Sequence, residues 1–118
     1  MWFRTIPKDE QINAVLTNQL WTLLRRCNFR RPSLQRKWSV SVGDIVSAAR
    51  QQGLDSFVQQ DPGGEGIYLV PRPGGYEVAY MERGCQMFEE RFEHLETAFT
   101  HWVKALLDAY RLPHDPGR

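Results

Sequence analysis

A chain of 118 residues with 42% hydrophobic and 12% aromatic content has the size and apolar mass of one folded domain, which excludes a disordered chain and needs no metal or disulfide framework. Net charge is +1 but divided: residues 1 to 60 carry nine Lys/Arg against four Asp/Glu, and residues 61 to 118 carry six against ten. That split predicts two surfaces of opposite sign that steer charged partners, unless the halves fold together and neutralise one another locally.

The opening Met1-Trp2-Phe3-Arg4-Thr5-Ile6-Pro7 has no apolar stretch of the signal-peptide kind, and no run approaches the ~18 apolar residues of a membrane span. The expectation is a cytoplasmic protein with no membrane contact. Cys27 and Cys85 stand far apart outside any CxxC pair, so a reducing compartment keeps them as separate thiols.

From Pro7 to Cys27 the apolar residues Ile12, Val15, Leu16, Leu20, Leu23, Leu24 and Cys27 recur at three and four, which predicts one long helix. Thr5 can cap it, Pro7 suits its first turn, and Asp9 and Glu10 complement the positive end of its dipole. The basic run from Arg25 to Trp38 then reads as an exposed connection with a short irregular helix. Ser41-Val42-Gly43-Asp44 has the spacing of a reciprocal cap, opening a second helix that runs to Gln52 and stops at Gly53. Beyond Gly53 the period becomes alternating. Strands are predicted at Ser56 to Gln60, Ile67 to Pro71, Tyr76 to Arg83 and Gln86 to Phe92, separated by the turns Asp61 to Gly66 and Arg72 to Gly75 and by the break at Gly84-Cys85. Tyr76, Val78 and Tyr80 fall on one face of the third strand, with Glu77, Ala79 and Met81 on the other. Leu95 to Tyr110 closes the pattern with a broad helical stripe that includes Phe99 and Trp102. The expected architecture is one α+β domain over residues 1–112: a small antiparallel four-stranded meander packed by two N-terminal helices and one C-terminal helix, with 113–118 as a flexible tail.

The chemistry-bearing residues form no catalytic pattern. His94, His101 and His114 make no HxxxH spacing, and neither cysteine has a second thiol near it, so no metal is expected. The turn at Gly63, Gly64 and Gly66 lacks GK[ST] and leads into a strand where a phosphate loop leads into a helix; Asp61 and Glu65 beside Pro62 lack the alternation of a calcium loop. Glu77, Glu82, Glu89, Glu90, Glu93 and Glu96 are numerous, and their spacing does not separate an acid–base pair from a solvated acidic face. The expectation is therefore no enzyme and no cofactor. Arg25, Arg26, Arg30, Arg31, Arg36 and Lys37, interleaved with Phe29 and Trp38, could contact phosphates and stack on bases, as in a winged-helix-like regulator built on residues 25–37. The net charge of +1 and the acidic C-terminal half oppose that use, so nucleic acid is the alternative partner.

The segment Gly75-Tyr76-Glu77-Val78-Ala79-Tyr80-Met81-Glu82-Arg83-Gly84, followed by Phe88, Phe92 and Leu95-Glu96-Thr97-Ala98-Phe99, resembles small bacterial immunity proteins, the partners of polymorphic toxins that include contact-dependent growth-inhibition toxins. The similar features are a strand ending in Glu-Arg-Gly, a second strand with a late Phe, and a helix opened by Glu-x-Ala. The resemblance implies an inhibitor that binds a cognate toxin domain stoichiometrically in the cytosol. A nuclease toxin with a cationic site would meet Glu82, Glu89, Glu90 and Glu93. An acidic toxin surface would meet Arg30, Arg31, Arg36 and Lys37, and this second arrangement is the one expected.

Overall fold

A computed structural model of the chain describes residues 5–62, 64–83 and 85–117, without the side chains of Met87 and Phe88. Met1 to Arg4, Gly63 of the glycine turn, the Gly84 reversal and Arg118 lie outside the described residues. In chain order the elements are α1 (Lys8–Leu16), α2 (Leu20–Arg26), α3 (Arg31–Lys37), α4 (Val42–Gln52), a 3-10 turn at Leu54–Phe57, β1 (Gly66–Arg72), β2 (Gly75–Glu82), β3 (Cys85–Phe92) and α5 (Leu95–Ala109). The strands pair antiparallel in the order β1-β2-β3, so the α+β meander stands as expected.

Helix ends account for most departures from the sequence reading. The long first helix breaks in two because Asn18 takes a left-handed conformation, φ 58°. There Gln19 N–H donates to the Ala14 carbonyl at 2.8 Å and Asn18 N–H to the Val15 carbonyl at 3.0 Å, the paired bonds that satisfy the last carbonyls of a helix. Asn tolerates this conformation better than other non-glycine residues, so the chain turns without losing the apolar stripe on either side. At the other end Pro7 rather than Thr5 occupies the N-cap, and no side chain caps α1. The reciprocal cap of α4 forms as its spacing predicts: Asp44 N–H donates to Ser41 Oγ and Ser41 N–H to Asp44 Oδ2, each at 3.0 Å. Gly53 follows at φ 89°.

Residues 56–60 contribute one backbone bond to the sheet, from Gln59 N–H to the Leu69 carbonyl at 2.8 Å, in place of a ladder. Leu54–Phe57 winds as a 3-10 turn closed by Ser56 Oγ on the Gly53 carbonyl, which turns Phe57 toward Phe99 at a ring separation of 5.6 Å. Four helices precede the sheet, because the first predicted helix divides into α1 and α2 and the short helix of the basic run forms as α3. Helix α5 packs on all three strands, and α1 and α4 pack on α5. Seven of its residues are consequently buried, from Ala98 to Leu107, and Phe99 is wholly enclosed. Phe99 and Trp102 lie over the Tyr76, Val78, Tyr80 face as the stripe predicts, and Trp102 Nε1 donates to the Ile67 carbonyl at 2.9 Å.

The C-terminal segment is tied down at His114. Its carbonyl accepts from Val42 N–H at 2.8 Å, and its ring meets Asp108 at 2.7 Å. Among the described residues no helix is long and apolar enough to cross a membrane.

Candidate functional site

Helix α2 buries Leu20, Leu23, Leu24 and Cys27, and α3 buries Leu34, with Trp38 following it into the core. The opposite sides of both helices are left to solvent, and they carry Trp21, Arg25, Arg30, Arg31 and Arg36. Helix α2 ends at Asn28, φ 54°, with Asn28 N–H on the Arg25 carbonyl at 3.0 Å and Phe29 N–H on the Leu24 carbonyl at 2.8 Å. Phe29 is itself left-handed, φ 59°, and 66% exposed; Trp21, 48% exposed, is the other large hydrophobic residue turned to solvent among the described residues. Phe29, Arg30, Arg31, Pro32, Ser33 and Arg36 line a shallow depression of about 390 Å³.

Charge singles out the same segment. From Gln11 to Gly43 the chain has six Lys/Arg and no Asp or Glu. Arg26 is drawn aside to Glu10 at 2.6 Å, whereas Arg25, Arg30, Arg31, Arg36 and Lys37 meet no carboxylate among the described residues. Helix α3 is fixed from behind: Gln35 Nε2 donates to the Arg111 carbonyl at 3.0 Å at the end of α5. A cationic ledge with two exposed aromatic rings results, mounted on buried leucines.

The structure therefore brings Arg30, Arg31, Arg36 and Lys37 together on one segment. It scatters the acidic set. Glu82 ends β2 and Glu93 follows β3, at opposite ends of the hairpin and so about 20 Å apart at the usual rise per strand residue. Glu89 lies on the sheet face away from the helices, and Glu90 on the helix face beside His101 Nε2 at 3.3 Å. The aromatic pairing expected from sequence is corrected as well: Trp38 is buried, because it follows α3 into the core. Trp21 takes its place at the surface, and its position off the apolar stripe of residues 12–27 is the sequence signal that could have found it.

Sequence reasoning also left Glu77 among undifferentiated acids. It sits at the centre of β2, 2% exposed, with Arg72 at 3.1 Å, Arg91 at 3.7 Å and Gln86 Nε2 at 3.2 Å, on the face that holds the buried Val70 and Ala79. Burial raises the Glu77 carboxyl above its ordinary 4.5, a hydrogen bond shared with Glu89 adds to the rise, and Arg72 opposes it. The same shared bond, with help from Gln86, holds Glu89 below the usual range. A folded-state pKa above the unfolded value means the native protein binds this proton more tightly, so the contribution of Glu77 to stability falls as pH rises from 4.5 through its folded value. Glu77→Gln removes that loss. Its stability relative to the parent protein is expected to improve as pH rises above 4.5 in urea titrations. A relative decline over that range would mean the arginine pairs outweigh burial.

Comparison with protein-family models, with curated proteins and with solved structures returned no match.

What the ledge can do thus follows from its own physics. Exposed Trp and Arg side chains are the residue types that anchor protein interfaces, an exposed Phe lines the depression with the arginines, and cations without carboxylate partners accelerate encounter with an acidic surface. Phe29 adds a cost that folding does not need, since a bulky residue in the left-handed region is strained by roughly 1 kcal/mol. Phe29→Asn is expected to raise folding stability by up to about 1 kcal/mol, read from the urea midpoint, because Asn accepts that conformation. A fall in stability instead would assign Phe29 a packing role.

Proposed function

We propose that this chain is an immunity protein that acts in the cytoplasm, holding a cognate bacterial toxin domain in a stoichiometric complex through the α2–α3 ledge. The observation that carries the reading is the coincidence on one segment of the exposed Trp21 and Phe29 with five cations that meet no carboxylate among the described residues, on a stretch without an acidic residue. The likeness of residues 75–99 to immunity proteins supplies the class of partner. An acidic toxin surface supplies the complement, with Phe29 entering a pocket on the toxin and Arg30, Arg31 and Arg36 pairing around it. Inhibition then requires occupation alone, with no chemistry from this chain. Co-expression with the neighbouring open reading frame tests the reading: a co-purifying one-to-one complex and relief of growth inhibition are expected, and a toxic neighbour that is neither bound nor relieved would overturn it.

The same juxtaposition of arginines and exposed rings favours a second reading, a nucleic-acid binder that stacks bases on Trp21 and Phe29. Contacts from four of the cations to phosphates would weaken binding about 100-fold between 50 and 200 mM salt. Electrophoretic shifts on single- and double-stranded DNA and RNA across that range separate the two: no salt-sensitive band leaves the protein partner, and a steep loss moves the function to nucleic acid.

A further inference from the structure

The two edges of the sheet are finished differently. In β1 the carbonyl of Ile67 points away from β2 and accepts both Asn18 Nδ2 at 3.0 Å and Trp102 Nε1 at 2.9 Å, and the carbonyl of Leu69 accepts Gln59 N–H. Pro71, next in that outward set, has no N–H to offer, as suits an edge position. Because Ile67, Leu69 and Pro71 face outward, their partners Tyr80, Val78 and Tyr76 on β2 turn their backbone groups to β3, where they meet residues 88, 90 and 92. The N–H and C=O groups of Glu89 and Arg91 are therefore left on the outer edge of β3, and among the described residues no loop or cap bonds to them. One edge is closed and the other is open.

We propose that a second copy of this chain pairs antiparallel along β3, extending the two three-stranded sheets into one of six strands. Only outward-facing residues can bond across the new junction, which leaves few registers. Setting Glu89 against Glu89 or Arg91 against Arg91 opposes like charges. Placing the two-fold axis at Glu90 sets Glu89 of each copy against Arg91 of the other, and both pairs exchange N–H and C=O bonds. On the face away from the helices this register completes a row: Glu77, Arg91 and the second copy's Glu89 alternate negative, positive, negative. Arg91 is 60% exposed and sits 3.7 Å from Glu77, so its free side is turned to solvent where that second carboxylate would lie. On the helix face, a depression of about 380 Å³ between Phe92, His101 and Lys104 runs beside the same edge and gives the added strand side-chain space. The unfavourable contact is at the axis, where two Glu90 side chains face each other, each 3.3 Å from its own His101. This pairing uses the sheet edge and does not depend on the α2–α3 ledge or on its partner.

Sedimentation velocity over a concentration series tests it on the full chain. The parent protein is expected to show a monomer–dimer equilibrium in the micromolar range, at the weak end for a small edge interface. Glu89→Arg alone and Arg91→Glu alone place like charges across the junction and are expected to weaken self-association at least tenfold. An equimolar mixture of the two single variants restores every opposite-charge pair and is expected to form a heterodimer as tight as the parent, while Glu90→Gln tightens the homodimer. Circular dichroism checks each fold. If Arg91→Glu fails to fold beside Glu77, Glu77→Gln/Arg91→Glu, which removes the like charge within the chain, replaces it in the mixture, with recovery of the heterodimer expected. A protein that stays monomeric throughout, a dimer indifferent to Glu89→Arg, or a charge-complementary pair that does not recover would each overturn the proposal.

Discussion

Gln11→Leu lowers folding stability by about 3 kcal/mol, a loss expected from unpairing buried polar groups with almost no change of volume. Gln11 is completely enclosed in α1 although it lies among apolar neighbours. Its carboxamide donates from Nε2 to the Ile6 carbonyl at 2.7 Å, to Ser39 Oγ at 3.0 Å and to the Lys37 carbonyl at 3.3 Å, and its Oε1 accepts Ser39 N–H at 2.9 Å. Leucine fills the space and strands those backbone groups. The urea midpoint should fall with little change in slope, and a loss under about 1 kcal/mol would mean that water replaces the amide. The effect extends to the ledge, because Lys37 and Ser39, which Gln11 bonds, belong to the link that sets α3 against α1. Faster hydrogen exchange across Arg31–Lys37 in the variant would register the loosened ledge.

How far the sequence could be read depended on how local each signal was. The Ser41 and Asp44 cap, the stop at Gly53, the two faces of β2 and the stripe of α5 are written within a few residues, and each forms where its spacing places it. The turn at Asn18 was hidden because the apolar stripe keeps its phase through the break; Asn at a left-handed position is a common helix end, but only the surrounding packing selects it. Gln11 was hidden for a different reason, since a polar residue beside Ile12 reads as solvent-facing until its partners twenty-six and twenty-eight residues away are in place. Likewise nothing local reveals that α5 is the helix that packs on all three strands.

The candidate site was legible in its charge and not in its rings. Composition alone marks Arg25 to Lys37, whereas the exchange of Trp38 for Trp21 at the surface follows from which side of α2 and α3 meets the core. Cys27 and Cys85 are separate thiols, the first buried and the second exposed.

Reversing Arg30 and Arg31 to Glu has the largest expected effect on binding. Both side chains are exposed and meet no carboxylate among the described residues, so the fold should tolerate the change. For the proposed acidic partner, two attractive charges become two repulsive ones beside Phe29, which would slow encounter and oppose the complex at close range. A loss of at least about 100-fold in affinity is expected, most of it relieved at high salt where the repulsion is screened. Phe29→Ala, which removes the central ring without touching charge, should cost about 2 kcal/mol and show in the dissociation rate.

Titration calorimetry of the purified chain against the product of the neighbouring open reading frame, the proposed toxin, puts the ledge to the test directly. Parent protein should saturate at one to one, and Arg30→Glu/Arg31→Glu should bind at least about 100-fold more weakly while melting at the parent temperature. Equal binding by that variant, together with loss of the complex on Glu82→Lys or Glu93→Lys, would contradict the account and move recognition to the acidic hairpin.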